Sequence, residues 1–208
     1  MAGLTLYSMP SSGNSYKVRL MLAHLGRPYR HVACEYGSGG LAEARAAGRM
    51  PLDRVPVLEL PDGRLLPESN AILCWLAEGT AWMPADPFTR AEALAWMFWE
   101  QNQHEGVIAV RAALCCYPHR AADATPERMA ALLTRGNELL GQMEAHLAGG
   151  RAWLAGEAPS VADLCLYAYT HSADTRGGYD LGPFAALRRW LGRVAALPGH
   201  VGLAEIPA

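Results

Sequence analysis

A small α/β unit followed by an all-helical half is the fold class that the sequence predicts. The first eighty residues contain the patterns of a strand, a helix and a strand, and then of a hairpin and a helix (βαβ–ββα). After residue 88 every longer apolar pattern has helical spacing. The segment TAWMPADPF (80–88) between them carries two prolines, which is typical of a linker. We therefore expect domains at 1–79 and 89–208.

The βαβ part is predicted from two short apolar runs and one helical pattern. LTLY (4–7) is the first strand, and the turn cluster SMPSSGNS follows it. A helix is predicted over 15–25, because its apolar residues recur at helical spacing and a glycine comes directly after them. YRHVAC (29–34) is the second strand. The Gly/Ala-rich stretch that follows predicts at most a short helix at 41–47.

The ββα part is predicted from VPVLEL (55–60) and RLL (64–66), which flank a Pro-Asp-Gly turn and so indicate a β-hairpin. A helix with apolar residues on one face then begins at Ser69 and ends at Gly79. One residue does not suit this pattern. Pro56 lies inside the first run of the hairpin, where a strand loses a hydrogen bond to it.

The second half predicts helices only. The patterns extend over 89–117, which is rich in aromatic residues, over 126–148, and over 184–194. Ser160 and Asp163 form an S-x-x-D capping box at the start of a further helix.

The composition is that of an ordinary globular protein and excludes several function classes. The 208 residues are 51% hydrophobic and 18% charged, with a formal net charge of −2 and no block of like charges. We therefore expect no nucleic-acid and no membrane partner. No signal-peptide pattern and no apolar stretch of membrane-spanning length is present, so we expect a cytoplasmic protein. Five scattered cysteines without a C-x-x-C pair indicate neither a zinc site nor a dithiol redox motif.

The order of these motifs carries a family resemblance. VPVL before ESNAI, a proline-containing linker and a helical half with an S-x-x-D cap closely resemble the cytosolic glutathione transferases. LYSMPSSGNSYKVRLML (6–22) is similar to the first strand, catalytic loop and first helix of their bacterial, theta/zeta/beta-like branch. The resemblance covers the length of the chain. It implies a thioredoxin-like N-terminal domain, an all-α C-terminal helical bundle, a homodimer, and glutathione as co-substrate without a metal.

The resemblance accounts for Pro56 and for the residues after the hairpin. In a thioredoxin-like domain the proline of the third strand follows a cis peptide bond, here Val55-Pro56. Val55 would then pair its backbone with the cysteinyl residue of glutathione. Ser69, at a helix start, would bind the γ-glutamyl carboxylate, and Glu68 would hold the ammonium group. The alternatives are an edge strand with an incidental proline, and a Ser69 that is only an N-cap.

The turn PSSGNSYKVR offers the hydroxyl that such an enzyme needs. The pKa of a free thiol lies near 8.5, and a hydrogen bond to the thiolate at a helix N-terminus lowers it. By resemblance, Ser12 takes the position of the catalytic serine, and Asn14 that of an asparagine or cysteine close to the sulfur. Ser11 is the third candidate. Taken alone, the cluster would predict only a turn.

Two further residues are implied by resemblance. His104 is similar to a histidine of the beta-like bacterial class that faces glutathione, while Glu100, four residues earlier, leaves a surface pair as the alternative. The family's Asn-Pro-x-Gly-Lys/Arg segment is Met50 to Arg54 here, without the Asn and the Gly. Arg54 is nevertheless expected to meet the glycyl carboxylate.

Two functions follow from these patterns. The first is a glutathione S-transferase that activates glutathione as thiolate, for conjugation to a small hydrophobic electrophile or for a related thiol-dependent reduction. The second is a transferase-fold protein without turnover that binds ligands or a protein partner, its glutathione site weakened by the altered 50–54 segment.

Overall fold

Four short strands form one mixed sheet in the computed structural model, which describes residues 3–206. The strands are β1 (Leu4–Ser8), β2 (Tyr29–Ala33), β3 (Val57–Glu59) and β4 (Leu65–Pro67). Their order in the sheet is β2-β1-β3-β4, with β1 and β2 parallel and the pairs β1–β3 and β3–β4 antiparallel. This is the predicted βαβ–ββα arrangement, and the thioredoxin-like prediction is confirmed.

Three helices accompany the sheet: α1 (Gly13–His24), α2 (Gly39–Ala46) and α3 (Ser69–Ala77). Helices α1 and α3 pack against each other. The first helix begins two residues earlier than its apolar pattern predicts, because the Ser12 hydroxyl accepts a hydrogen bond from the Ser15 N–H and so caps it.

Successive side chains of a strand point to opposite faces of the sheet, so the core of this unit has one part on each face. Tyr7 and Val57 belong to a buried cluster with Ala44 of α2. Their strand neighbours Leu6 and Leu58, which point to the opposite face of the sheet, are also fully buried. A sheet covered on both faces holds β1 firmly, and the turn after β1 carries the predicted catalytic residues.

The second unit is helical throughout, as predicted. Its helices are α4 (Pro87–Trp99), α5 (Val110–Cys116), α6 (Pro126–Ala148), α7 (Val161–Thr170), α8 (Ala173–Gly177) and α9 (Ala185–Ala195). The predicted helix over 89–117 is not a uniform α-helix, because a π-helical stretch, Glu100–Ala109, joins α4 to α5. The polar sequence of that stretch, EQNQHEG, lacks the apolar periodicity from which its geometry could have been predicted.

The predicted capping box at the start of α7 is complete. The Asp163 carboxylate accepts hydrogen bonds from the Ser160 N–H at 2.9 Å and the Leu154 N–H at 3.0 Å, and from the Trp190 indole at 2.8 Å. Burial raises the pKa of Asp163, and these donors oppose that effect. The cap therefore also joins α7 to α9 and to the loop before α7.

Two compact units make up the described chain: residues 3–83 with 197–206, and residues 84–196. The predicted limits at 79 and 89 lie on either side of the break between the units and remain a prediction. One difference concerns the C-terminal segment, which we define as residues 197–206. It belongs with the sheet and not with the helical unit, although its sequence follows directly on α9.

No helix in the described part of the chain combines the length and the apolar character required to cross a membrane.

His24, near the end of α1, contacts the C-terminal segment. The Nδ1 N–H of His24 donates to the Pro198 carbonyl at 2.8 Å, and the Nε2 of the same ring is buried. Burial lowers the pKa of His24; the bond to Pro198 raises it, and the nearby His200 lowers it. The net direction is downward, so the folded protein favours the neutral ring.

We predict a loss of stability on mild acidification. Because the folded pKa of His24 lies below its unfolded value of about 6.5, the unfolded chain takes up the proton first as the pH falls. Above about pH 6.5 His24 should not lower the free energy of unfolding. Below that pH the free energy of unfolding should decline. Urea denaturation at about pH 8 and about pH 5 measures the difference, which His24→Asn should reduce. His119→Asn, at an exposed position, is the control, and an unchanged difference in His24→Asn would contradict the prediction.

Candidate functional site

The turn between β1 and α1 places Ser12 at the first helix N-terminus of the unit. The Ser12 N–H donates to the Met9 carbonyl at 3.1 Å, which closes the turn, and the Ser12 hydroxyl oxygen accepts from the Ser15 N–H at 3.5 Å. No residue among 3–206 accepts a hydrogen bond from the Ser12 hydroxyl itself. The cap thus uses an oxygen lone pair and leaves the proton available to a ligand.

Ser11 is placed differently. Its hydroxyl donates to Glu35 Oε1 at 3.0 Å, and its backbone N–H donates to Glu35 Oε2 at 3.2 Å. The carboxylate therefore holds the turn through a two-point contact. Because this contact uses the Ser11 proton, the geometry favours Ser12 over Ser11 as a donor to a sulfur.

Asn14 connects this turn to the start of α3. The Ser69 hydroxyl donates to Asn14 Oδ1 at 3.2 Å, across 55 positions of sequence. Ser69 is buried, with 5% of its surface exposed. The structure thus brings together two residues that the sequence assigned to different parts of a site.

Glu68, and not Ser69, is the N-cap residue of α3. The Ile72 N–H donates to the Glu68 carbonyl at 2.9 Å, and Ser69 is the first helical residue. The expectation that Ser69 is an N-cap is therefore wrong. Glu68 has φ 71° and makes no side-chain cap hydrogen bond. A non-glycine residue at positive φ is uncommon and often occurs at ligand-binding sites.

A buried lysine that the sequence analysis missed lies beside these residues. Lys17 has no exposed surface, and its Nζ donates to Asn70 Oδ1 at 3.3 Å. Lys17 follows Asn14 by three positions on α1, and therefore lies on the same side of that helix. The sequence feature that could have indicated Lys17 is a basic residue within an apolar helical pattern. Its charge adds to the positive end of α3.

The segment before β3 contains the predicted cis peptide bond, Val55-Pro56. Asp53, at φ 50°, pairs with the Arg45 guanidinium at 2.6 Å. Arg54 is exposed and makes no ion pair with any residue of 3–206. The altered 50–54 segment thus still presents an uncommitted cation next to Val55.

Tyr7, Cys34 and Cys74 are further side chains of this unit that could act as nucleophiles or activators. Tyr7 is buried, and its hydroxyl donates to Glu59 at 2.7 Å. Burial, followed by this hydrogen bond, raises the pKa of Tyr7. Burial also raises the pKa of the Cys34 and Cys74 thiols, which keeps them neutral.

His104 lies in the π-helical stretch of the second unit. Both His104 and Glu100 have no exposed surface, so the alternative of a surface pair is wrong. The His104 Nε2 lies 3.1 Å from the Thr170 hydroxyl, which itself donates to the Leu166 carbonyl. In this conformation His104 presents no surface to a ligand.

No group of three or more His, Cys, Asp or Glu side chains within residues 3–206 is arranged to hold a metal ion.

The chain matches two domains of one known protein family. The family described as "Glutathione S-transferase, N-terminal domain" matches residues 6–81, and "Glutathione S-transferase, C-terminal domain" matches residues 126–193. The chain belongs to the glutathione S-transferase family. The N-terminal match contains the turn after β1, the Val55-Pro56 bond and the start of α3, so the candidate residues of the first unit lie within that family domain.

Relatives of this chain include enzymes with different reactions. A maleylacetoacetate isomerase of Rhizobium meliloti is 32% identical, with 93% of this chain and 85% of that protein covered. The disulfide-bond oxidoreductase YfcG of Escherichia coli is 26% identical over 94% and 91% of the two chains. The crystal structure of a possible glutathione S-transferase from Rhodopseudomonas palustris is 40% identical, with TM-score 0.91, over 99% and 100% of the chains.

Proposed function

We propose that the protein binds glutathione at the first unit and activates its thiol as a thiolate, which it transfers to a small hydrophobic electrophile. The hydrogen bond between Ser69 and Asn14 carries the proposal, because it joins the start of α3 to the turn that holds Ser12. A carboxylate at one helix N-terminus and a sulfur at the other can then belong to one ligand.

Each charged group of glutathione would bind to a different group of the first unit. The γ-glutamyl carboxylate would lie at the N-terminus of α3, where the N–H groups of the first turn point, with the Lys17 charge behind them. The Ser69 hydroxyl, which donates to Asn14 Oδ1 in the free protein, would turn its proton to that carboxylate on binding. Glu68 would hold the ammonium group. Val55 would pair its backbone with the cysteinyl residue, and Arg54 would bind the glycyl carboxylate.

Activation would rest on the Ser12 proton. When glutathione loses its thiol proton to solvent, the Ser12 hydroxyl donates a hydrogen bond to the sulfur and so stabilises the anion. The thiolate then attacks a carbon of the electrophile and a carbon–sulfur bond forms. In a substitution the bond to the leaving group breaks, and the leaving group departs with that electron pair; in an addition the π bond breaks, and its electron pair moves to the far atom, which takes a proton from solvent. Ser12 itself is neither consumed nor deprotonated in this scheme.

The reaction after activation has a second candidate. The similarity to a disulfide-bond oxidoreductase favours reduction, in which the same thiolate attacks a disulfide, the S–S bond breaks, and one sulfur leaves as a thiolate while a mixed disulfide forms. A second glutathione thiolate then attacks the mixed disulfide, which releases the other substrate thiolate and glutathione disulfide. Both reactions need the same activated sulfur. Assays with an electrophile and with a disulfide substrate, each at equal glutathione, decide between them.

The compartment and the alternative without turnover complete the proposal. All five cysteines are free, which supports a reducing compartment such as the cytoplasm. If the protein bound no glutathione at millimolar concentration, that result would instead favour a role without turnover, in ligand binding or in interaction with a protein partner.

Glutathione affinity should depend on Ser69. Ser69→Ala removes the hydroxyl, which donates to Asn14 in the free protein and would donate to the carboxylate in the complex, so we expect the Kd for glutathione to rise about tenfold. Calorimetric titration measures it. Ser38→Ala is the matched control, because Ser38 caps α2 through the Leu41 N–H but belongs to no proposed contact. Equal Kd values in wild type and Ser69→Ala would contradict the placement of the γ-glutamyl group.

Thiolate formation should depend on Ser12. In the wild type the ultraviolet absorbance of the bound thiolate should titrate well below pH 8.5, and Ser12→Ala should raise that midpoint by about one unit or more. Conjugation near neutral pH should fall at least about tenfold. Ser11→Ala, which keeps the backbone contact with Glu35, should behave like the wild type. A normal midpoint in Ser12→Ala with a raised one in Asn14→Ala would transfer the role to Asn14.

We also propose a homodimer. Leu52 and Trp75 expose 55% and 43% of their surface in the first unit, and exposed large apolar side chains are often covered by a partner. Light scattering should give twice the chain mass of 22.4 kDa for the wild type. Trp75→Glu should shift the species towards the single-chain mass, whereas Trp75→Phe should not. A wild type of single-chain mass would refute the dimer.

A further inference from the structure

Three side chains of α1 hold the C-terminal segment against the first unit. The Tyr16 hydroxyl donates to the Val201 carbonyl at 2.7 Å, and Arg19 Nη2 donates to the Leu203 carbonyl at 2.8 Å. The third contact is that of His24 with Pro198. Because the C-terminal segment forms no helix or strand, its carbonyls need such donors. We call these three contacts the α1 clasp.

Gly199 brings the C-terminal segment onto the backbone of α1. Its φ is +79°, and a Cβ atom at this position would lie 3.1 Å from the Ala23 carbonyl oxygen and 3.3 Å from the His24 Cα. Both neighbours are backbone atoms, which cannot rotate away as a side chain can. The close approach therefore requires glycine, and a larger residue would lift the segment from the helix.

Arg19 extends the clasp to the turn that holds Ser12. The same Nη2 that binds the Leu203 carbonyl also donates to the Pro10 carbonyl at 3.0 Å. Arg19 has no exposed surface, and its Nε and Nη1 have no hydrogen-bond partner within residues 3–206. The two protons of Nη2 are thus shared between the C-terminal segment and the turn, and the position of one carbonyl constrains the other.

Pro10 lies two residues before Ser12 in the turn. Pro10 has no N–H, so its carbonyl is its one backbone hydrogen-bonding group, and Arg19 binds it. Glu35 holds the next residue, Ser11, from the other side. Loss of the contact between Arg19 and Pro10 would therefore leave the Pro10 carbonyl, two residues before Ser12, without the donor that fixes it.

We propose that Arg19 is a positioning residue for Ser12, and that the C-terminal segment, through the α1 clasp, sets how well the enzyme stabilises the glutathione thiolate. This inference rests on the proposed function, since it assigns the activating hydroxyl to Ser12. Neither Arg19 nor the C-terminal segment touches the bound glutathione in this scheme. Their effect is on the direction of the Ser12 hydroxyl.

The test uses a variant that moves the C-terminal segment without touching Arg19 or Ser12. Gly199→Ala should raise the midpoint of the bound thiolate by about half a unit to one unit, with the Kd for glutathione changed less than about threefold. Gly26→Ala is the matched control, because Gly26 has a similar φ of +59° but open space around it. The control should keep the wild-type midpoint, even if its melting temperature falls.

Substitution of Arg19 gives the second arm. Arg19→Met should raise the midpoint by about one unit, and Arg19→Lys should restore part of the shift, because an ammonium group can donate to both carbonyls. A purely structural role would lower the melting temperature of these variants and leave the midpoint in place. If Arg19→Met fails to fold, Gly199→Ala and Arg19→Lys still decide the question.

The outcomes separate this inference from the proposed function. A wild type that binds no glutathione, or that leaves its thiol pKa at the free value, overturns both. A wild type with a lowered midpoint and a Gly199→Ala variant with the same midpoint overturns the role of the C-terminal segment alone.

Discussion

The turn between β1 and α1 is the constraint on which the first unit depends. The chain must leave a buried strand and enter a buried helix between Ser8 and Gly13, and the polar groups of the turn must all be satisfied on the way. Glu35, Arg19 and Ser15 provide partners from three different directions. Among the hydrogen bonds of residues 3–206 none uses the Ser12 hydroxyl proton, which therefore stays uncommitted. The chemistry proposed for the site thus depends on the donors and acceptors that its neighbours have already used.

Buried charge is the second constraint, and it explains why α1 has its unusual sequence. Lys17 and Arg19 are both without exposed surface, although lysine and arginine are rarely buried. Each charge meets defined acceptors, since Lys17 reaches Asn70 at the start of α3 and Arg19 reaches two backbone carbonyls. Burial lowers the pKa of Arg19, a sign of how far it lies from water. The helix therefore carries polar connections on both sides of its apolar face, one towards α3 and one towards the C-terminal segment.

Much of the fold was predictable from sequence, because strand alternation and helical spacing depend on local patterns. The hairpin around Asp62, the helix from Ser69 and the capping box of Ser160 and Asp163 all follow from such patterns. The features that could not be predicted depend on contacts distant in sequence. The contact of Ser69 with Asn14 crosses 55 positions, and that of Arg19 with Leu203 crosses 184. A local pattern also cannot show that a polar run such as the one around His104 becomes a π-helix buried in the helical unit.

The proposed function assigns binding and activation to different helices of one unit. In that proposal the ligand charges bind to Ser69 and the first-turn N–H groups of α3, a different helix from the one that Ser12 caps, although the contact of Ser69 with Asn14 joins the two helix starts. The groups that direct Ser12 lie on α1, after β2 and in the C-terminal segment. Substitutions far from the ligand, in a segment of little regular structure, could therefore alter thiol activation while affinity is preserved. Relatives that share the binding half but differ in these supports would then be expected to differ in reaction more than in glutathione affinity.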